Sequence, residues 1–130
     1  MKILVCGSRN WDRRKPIWEA LGAVKKKKNV TVIHGTAKGA DTLAGEIGWE
    51  LGFNIEKYPA NWEKYGKAAG PLRNQKMIDK NPDVVLAFTE DLDSSRGTAD
   101  TVRRAKKAGI PVFVYPKTKN WYKRWKKIKS

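Results

Sequence analysis

Between an apolar run and a stretch of small residues, the segment "VIHGTAKGADTLA" (Val32 to Ala44) gathers His34, Gly35, Lys38, Gly39 and Asp41. Glycines let a ligand approach the main chain, and a helix starting just after a strand directs its free N–H groups at whatever sits there. Phosphate is the first candidate. A second segment, "GSRNW", brings Gly7, Ser8, Arg9 and Trp11: main-chain access, a hydroxyl and a guanidinium fork suited to phosphate oxygens. A third, "SSRGTAD", sets Ser95, Gly97 and Thr98 at the start of a helical pattern, where first-turn N–H groups can take another part of an anion. The glycine spacings match neither GxGxxG nor GxxxxGK followed by Ser or Thr, so an ordinary dinucleotide fingerprint and a Walker A loop are both unsupported.

The elements that must position these segments follow from periodicity. Apolar runs at Ile3 to Cys6, Val30 to Ile33, Asn54 to Tyr58, Val84 to Phe88 and Val112 to Tyr115 predict strands. Between them, Lys15 to Lys27, Ala40 to Leu51, Ala69 to Asp79 and Thr98 to Ala108 predict helices, the last two stopped by "NP" and "GIP". Strict alternation predicts an α/β fold: a single Rossmann-like domain over residues 1–116, with a five-stranded, mostly parallel sheet of order 3-2-1-4-5 flanked by helices. In that order the ligand site lies outside the carboxyl ends of strands one and four. The loops there are the polar, informative ones, whereas the opposite edge has plain connections such as "KKKKN" and "LGF".

Composition agrees with a polyanionic or phosphate-bearing partner. The 130 residues carry 28 Lys and Arg against 13 Asp and Glu, a formal net charge of +15. The stretch from Lys117 to Ser130 holds seven basic and no acidic residues, yet the rest of the chain stays basic without it. One cysteine and one histidine exclude an internal disulfide framework and give no cluster for a structural zinc, so no metal and no cofactor are expected. The amino-terminal apolar run is too short for a signal sequence, and no segment approaches about 18 consecutive apolar residues. A cytoplasmic location without a membrane span is the expectation, and a homo-oligomer is compatible with it.

Each candidate also has a plain structural reading. Gly35 and Gly39 serve tight packing as readily as ligand approach, and Asp41 is also an ordinary helix-start residue. His34 either enters the site or orients its loop. Trp11 and Trp62, with Tyr58 and Tyr65, are loop aromatics able to stack on a base or to pack at the rim. Cys6 inside the first strand reads as a buried small apolar residue. In the tail, Trp121, Trp125 and Ile128 share one helical face, predicting a basic C-terminal helix (117–130) that either docks on the domain or offers its Lys, Arg and Trp residues to nucleic acid.

Together "GSRNW", "VIHGTAKGADTLA", "YPANWEKYGKAAGPLRNQKM" and "VVLAFTEDLDSSRGTADTVRRAKKAGIPV" resemble the small Rossmann-like proteins of the SLOG superfamily, specifically its YspA-like group. The resemblance covers about residues 1–115. It implies a nucleotide or nucleotide-derived ligand at the carboxyl edge, with Gly7, Ser8, Arg9, Gly35, Gly39, Asp41, Arg73, Asn74, Gly97 and Thr98 at matching positions. The LOG phosphoribohydrolases of the same superfamily cleave the base from a nucleoside monophosphate with a PGGxGTxxE motif. Here Gly97 and Thr98 align with its GT, and Thr101 stands where the catalytic glutamate belongs. Asp100 is one residue early, about 100° away on a helix. A nucleoside monophosphate N-glycosidase would therefore have to use Asp41 or Asp100 as its acid or base. The DprA family shares a similar GSR turn and a block like "GTAKGADTLA", which implies single-stranded DNA as an alternative ligand. Binding of a nucleotide-type small molecule is the leading expectation.

Overall fold

The computed structural model describes residues 1–118, 123–125 and 127. Among residues 1–118, five strands and five α-helices follow in the order β1 (Lys2–Gly7), α1 (Arg14–Gly22), β2 (Thr31–His34), α2 (Ala40–Glu50), β3 (Asn54–Lys57), α3 (Trp62–Tyr65), α4 (Ala69–Ile78), β4 (Val84–Phe88), α5 (Arg96–Lys107) and β5 (Val112–Tyr115). The strands form one sheet of order β3-β2-β1-β4-β5, with every pairing parallel. This is the α/β Rossmann-like arrangement expected, and β4 and β5 begin and end where the apolar runs placed them.

Parallel strands covered on both faces alternate between two cores, and this sheet does so. Ile3 and Val5 of β1 point into a layer closed by Ile17, Leu21, Ala44 and Ile47 of α1 and α2. Leu4 and Cys6 point the other way, against Met77, Ile78, Val102 and Ala105 of α4 and α5. Trp125 joins the first layer, wholly buried, its indole N–H donating to the Ala20 carbonyl at 2.9 Å. The guanidinium of Arg124 lies 5.0 Å over the Phe113 ring. The other two residues of the predicted tail stripe, Trp121 and Ile128, lie outside the described residues.

Two boundaries differ from the periodic reading. Helix α1 stops at Gly22 instead of running to Lys27. Gly22 is a weak helix former, the N–H groups of Val24 and Lys25 reach back only three residues, to the Leu21 and Gly22 carbonyls, and Asn29, at φ 58°, turns the chain into β2. The third crossover contains an unexpected short helix, α3, followed by a 3-10 turn at Gly66–Ala68. The Asn61 side chain accepts the Lys64 N–H at 3.1 Å at its start, and Gly66 at φ 54° ends it.

Candidate ligand cleft at the switch point

Strands β1 and β4 are neighbours, but their following loops diverge to opposite faces. The gap opens as a cleft of about 840 Å³ at the carboxyl edge. One wall is the segment Gly7 to Arg13. The other comprises Glu90, Asp91 and Ser94 to Thr98, and the floor takes Cys6, Ala37, Asp41, Arg73, Asn74, Met77 and Thr101.

The first wall is fixed through glycine. A Cβ on Gly7 would overlap the Phe88 carbonyl and come within 2.6 Å of the Ala40 Cβ, so β1 ends flush against both β4 and α2. Gly39, at φ 81°, lies so close to the Ser8 and Arg9 carbonyls that no side chain fits. The Ser8 carbonyl accepts the N–H groups of Trp11 (3.2 Å) and Ala40 (3.3 Å), tying the two loops together. Gly39 thus serves packing of loop on loop and does not line the cleft.

Asp41 fastens the same loop from within. One carboxylate oxygen accepts the N–H groups of Gly35 (2.9 Å) and Ala37 (3.3 Å). Burial raises its pKa to about 6, and the two N–H groups and the nearby Arg73 charge only partly offset that. Above it, Arg73 donates to the Gly35 carbonyl and, at 3.3 Å, to the Tyr58 carbonyl, while its Nε donates to Asn74 at 2.9 Å. Desolvation depresses the guanidinium pKa. Arg73 therefore joins the loops after β2 and β3 while still lining the cleft, and it covers Gly35, which does not line it.

His34 faces away. Its Nδ1 accepts the Thr36 N–H at 3.1 Å, so the neutral ring carries its proton on Nε2, which is buried without a partner among the described residues. That atom backs onto Gly45, where a Cβ would stand 2.7 Å away. Burial, followed by the charges of Lys57 and Arg73, lowers the His34 pKa to about 4. Of its two sequence readings, the geometry matches loop orientation. Cys6 borders the floor, and burial, reinforced by Asp41, pushes its thiol far above the usual range.

The second wall carries hydroxyls and an open helix end. The Ser8 and Thr89 hydroxyls are 2.5 Å apart, and each lies 3.0 Å from the Ser95 hydroxyl. Ser95 is thereby held off α5, which starts with no side-chain cap and no acidic residue in its first turn. Its first N–H groups belong to Arg96, Gly97 and Thr98, all lining the cleft, and Gly97 has open space where a side chain would be. Arg96 stands at the positive end of the helix dipole, an unfavourable place for a cation unless an anion lies beside it. Neither Arg96 nor Arg9 has a carboxylate partner among the described residues.

The other expected site residues divide. Asn74 is buried and donates to the Gly97 carbonyl (3.3 Å) and Asp100 (3.0 Å), positioning α5. Trp11 borders the cleft but packs on Phe88 and Tyr115, with its indole N–H given to the Arg13 carbonyl at 2.9 Å. Trp62 is half exposed, leans on Gly70 and lies outside the cleft. Asp100 is also outside it, ion-paired to Arg103 and Arg104. Burial pushes its carboxyl up, but the bonds from Arg104 and Asn74 and both arginine charges outweigh that and hold it low. Thr101 donates to the Gly97 carbonyl at 3.1 Å and leaves no carboxylate at that position. The cleft also takes in Arg13, Glu90, Arg96 and Met77, which the sequence reading does not name, while Thr89 is buried against the Ser8 and Ser95 hydroxyls and does not line it. Thr89 had a signal, as the first residue after β4, and Arg13 pairs with Glu90 across the mouth.

An open parallel sheet of order β3-β2-β1-β4-β5, with a cleft at its topological switch point, defines a Rossmann-like domain. The chain belongs to the YspA, cpYpsA-related SLOG family, whose model it matches over residues 1–65. It is 42% identical over 119 residues to the Gene 61 protein of Mycobacterium phage D29, covering 86% of this chain and 94% of that one. Among solved structures it resembles DNA processing protein A (DprA) from Streptococcus pneumoniae, with a TM-score of 0.68 and 20% identity over 92% of this chain. The chain spans only 51% of that DprA. It also resembles TM1055, a structural genomics target, with a TM-score of 0.64 and 20% identity, over 95% of this chain and 78% of the other. At that identity both likenesses show a shared fold.

Proposed function

We propose that the protein binds a nucleotide or nucleotide-derived phosphate ligand in the cleft between β1 and β4. The observation that carries this is the uncapped start of α5, with Arg9 and Arg96 both lining the cleft and both without acid partners among the described residues. A phosphate there would meet first-turn N–H groups and two guanidinium forks, completing what the fold leaves open. Ser8 and Ser95 add hydroxyls, while Met77 and the edge of Trp11 supply apolar surface. Asp41, Arg73 and Asn74 hold the loops in place. The absence of a carboxylate at Thr101 favours binding over glycosidic hydrolysis, with Asp41 the carboxyl nearest to such a role.

A strand of DNA lying through the cleft is the second reading, supported by the likeness to a DNA processing protein. The acidic residues Asp12, Glu90 and Asp91 along the walls favour one compact ligand over a long polyanion. Native mass spectrometry of the freshly purified protein, followed by calorimetric titration with the ligand found, tests the proposal. Arg9→Ala should weaken that binding at least tenfold while leaving the melting temperature nearly unchanged, and Arg9→Lys should recover only part, lacking the bidentate fork. Unaltered affinity in Arg9→Ala would remove the cleft from consideration.

A further inference from the structure

The edge of the sheet opposite the cleft has a chemistry of its own. Helices α1, α4 and α5 all end there, and their carbonyl ends attract cations. The turn between α1 and β2 is Lys25 to Lys28, every residue exposed. It runs directly beside the first strand, since Thr31 N–H donates to the Met1 carbonyl at 2.8 Å. Lys2 follows, its ammonium donating to the Lys80 carbonyl at 3.2 Å. Next in the sheet comes β4, whose leading Asp83 donates its N–H to the Lys2 carbonyl at 2.8 Å. Lys106 and Lys107, both exposed, close α5 where the chain turns into β5. Lysines thus accompany the strand starts from β2 to β5, three strand spacings or about 14 Å.

The acids at this edge are already engaged. Asp83 accepts the Lys2 N–H at 2.7 Å, Asp79 accepts from Gln75 at 2.8 Å, and Glu50 at the end of α2 is paired with Arg14. Asn29, Asn81 and Gly109 stand exposed among the lysines, and Trp49, exposed in the last turn of α2, is a single ring, far short of the apolar face that seats a segment in lipid. We propose that this amino edge is a docking surface for the phosphate backbone of nucleic acid, separate from the cleft and indifferent to base sequence. Long, flexible ammonium groups in a row neutralise phosphates as point charges, without the forks that fix one geometry.

The test compares two quadruple variants of the full chain that remove equal charge. One replaces Lys25, Lys26, Lys27 and Lys28 by Gln; the other replaces Lys15, Lys38, Lys64 and Lys67, exposed lysines elsewhere. Anisotropy of a labelled DNA duplex is read between about 50 and 200 mM salt, with circular dichroism confirming the fold. Each phosphate contact contributes a slope of about −0.9, so loss of four flattens the salt dependence by up to about 3.6, and over this fourfold range of salt the affinity advantage of the wild-type chain changes by roughly a hundredfold, being largest at the low-salt end. The expected result is such a loss in the first variant and less than a threefold change in the second. Equal losses in both would overturn the proposal, leaving only diffuse charge. Loss in Arg9→Ala with none in the first variant would overturn it too, moving the strand to the cleft. Binding of phosphatidylserine vesicles in place of DNA would likewise overturn it, making the edge a membrane contact.

Discussion

Asp41→Asn provides a sharp test because two buried groups at the two ends of the β2–α2 loop, His34 and Asp41, titrate in opposing senses. Asp41 moves from an ordinary value of 3.8 to about 6 on folding, so the folded chain binds its proton more tightly than the unfolded chain. Its favourable contribution is complete below 3.8 and is lost as the pH rises through 6. His34 moves from 6.5 to about 4, so its contribution is complete above 6.5 and is lost as the pH falls through 4. Each proton difference changes stability by about 1.4 kcal/mol per pH unit. Between pH 4 and 6 the two slopes therefore cancel in the wild-type protein. The amide introduced by Asp41→Asn would keep an oxygen for the Gly35 and Ala37 N–H groups but cannot titrate. The variant should gain up to about 3 kcal/mol over wild type at pH 7, and that advantage should shrink by about 2.7 kcal/mol between pH 6 and 4. Urea unfolding followed by tryptophan fluorescence at half-unit pH steps and constant ionic strength measures both. Converging curves are the expected signature. Curves that stay parallel, or separate further toward acid, would refute the assignment of a raised carboxyl in this loop. The reciprocal variant, His34→Asn, keeps an acceptor for Thr36 and should instead grow more stable, relative to wild type, as the pH falls from 6 to 4.

Further outcomes follow from the packing and from the site. Gly97→Ala meets open space at the start of α5, so thermal melting should show unchanged or slightly raised stability, with ligand binding weakened because the new methyl enters the cleft. Trp125→Ala removes a wholly buried ring and its bond to Ala20; it should cost about 3 to 5 kcal/mol in chemical denaturation, and Trp125→Phe less. A chain shortened at Pro116 loses the same ring, so its DNA binding would report on stability as well as on tail charge. Incubation with a panel of nucleoside monophosphates should release no free base above background by chromatography, because Thr101 supplies no carboxylate; rapid release abolished by Asp41→Asn would make the protein an enzyme.

The sheet was legible because parallel strands buried on both faces read as short apolar runs, and Val84 to Phe88 has no polar residue to blur it. The position of the cleft followed from strand order and the clustering of polar loops. Individual roles were harder, since they depend on partners remote in sequence. Trp11 meets Phe88 and Tyr115, and Arg73 finds the Gly35 and Tyr58 carbonyls, contacts that no local pattern encodes. Gly39 reads equally as a place for a ligand or for a neighbouring loop, and only the Ser8 carbonyl packed against it decides between them. Helix α3 did leave a local trace, with Asn61 before "WEKY" and Gly66 after it, but four residues are too few for periodicity to reveal.

The three hydroxyls of Ser8, Thr89 and Ser95 stand at the corners of a small triangle, each within bonding distance of the other two. Three protons can circulate around it in either sense, and Thr89 has a further outlet in the Asp91 carbonyl at 3.2 Å. In either sense each hydroxyl gives its one proton to a neighbour, so a closed circuit leaves none for a ligand; when Thr89 gives its proton to the Asp91 carbonyl instead, a serine hydroxyl is freed to donate into the cleft. Ser8 and Ser95, the two members that line the cleft, can therefore keep the ring closed or turn one O–H toward an oxyanion with the same coordinates, by rotation of O–H bonds alone. An anion seated there would accept that proton and hold the ring open, so its arrival would be registered at Asp91, on the far side of Thr89, before any heavy atom moved.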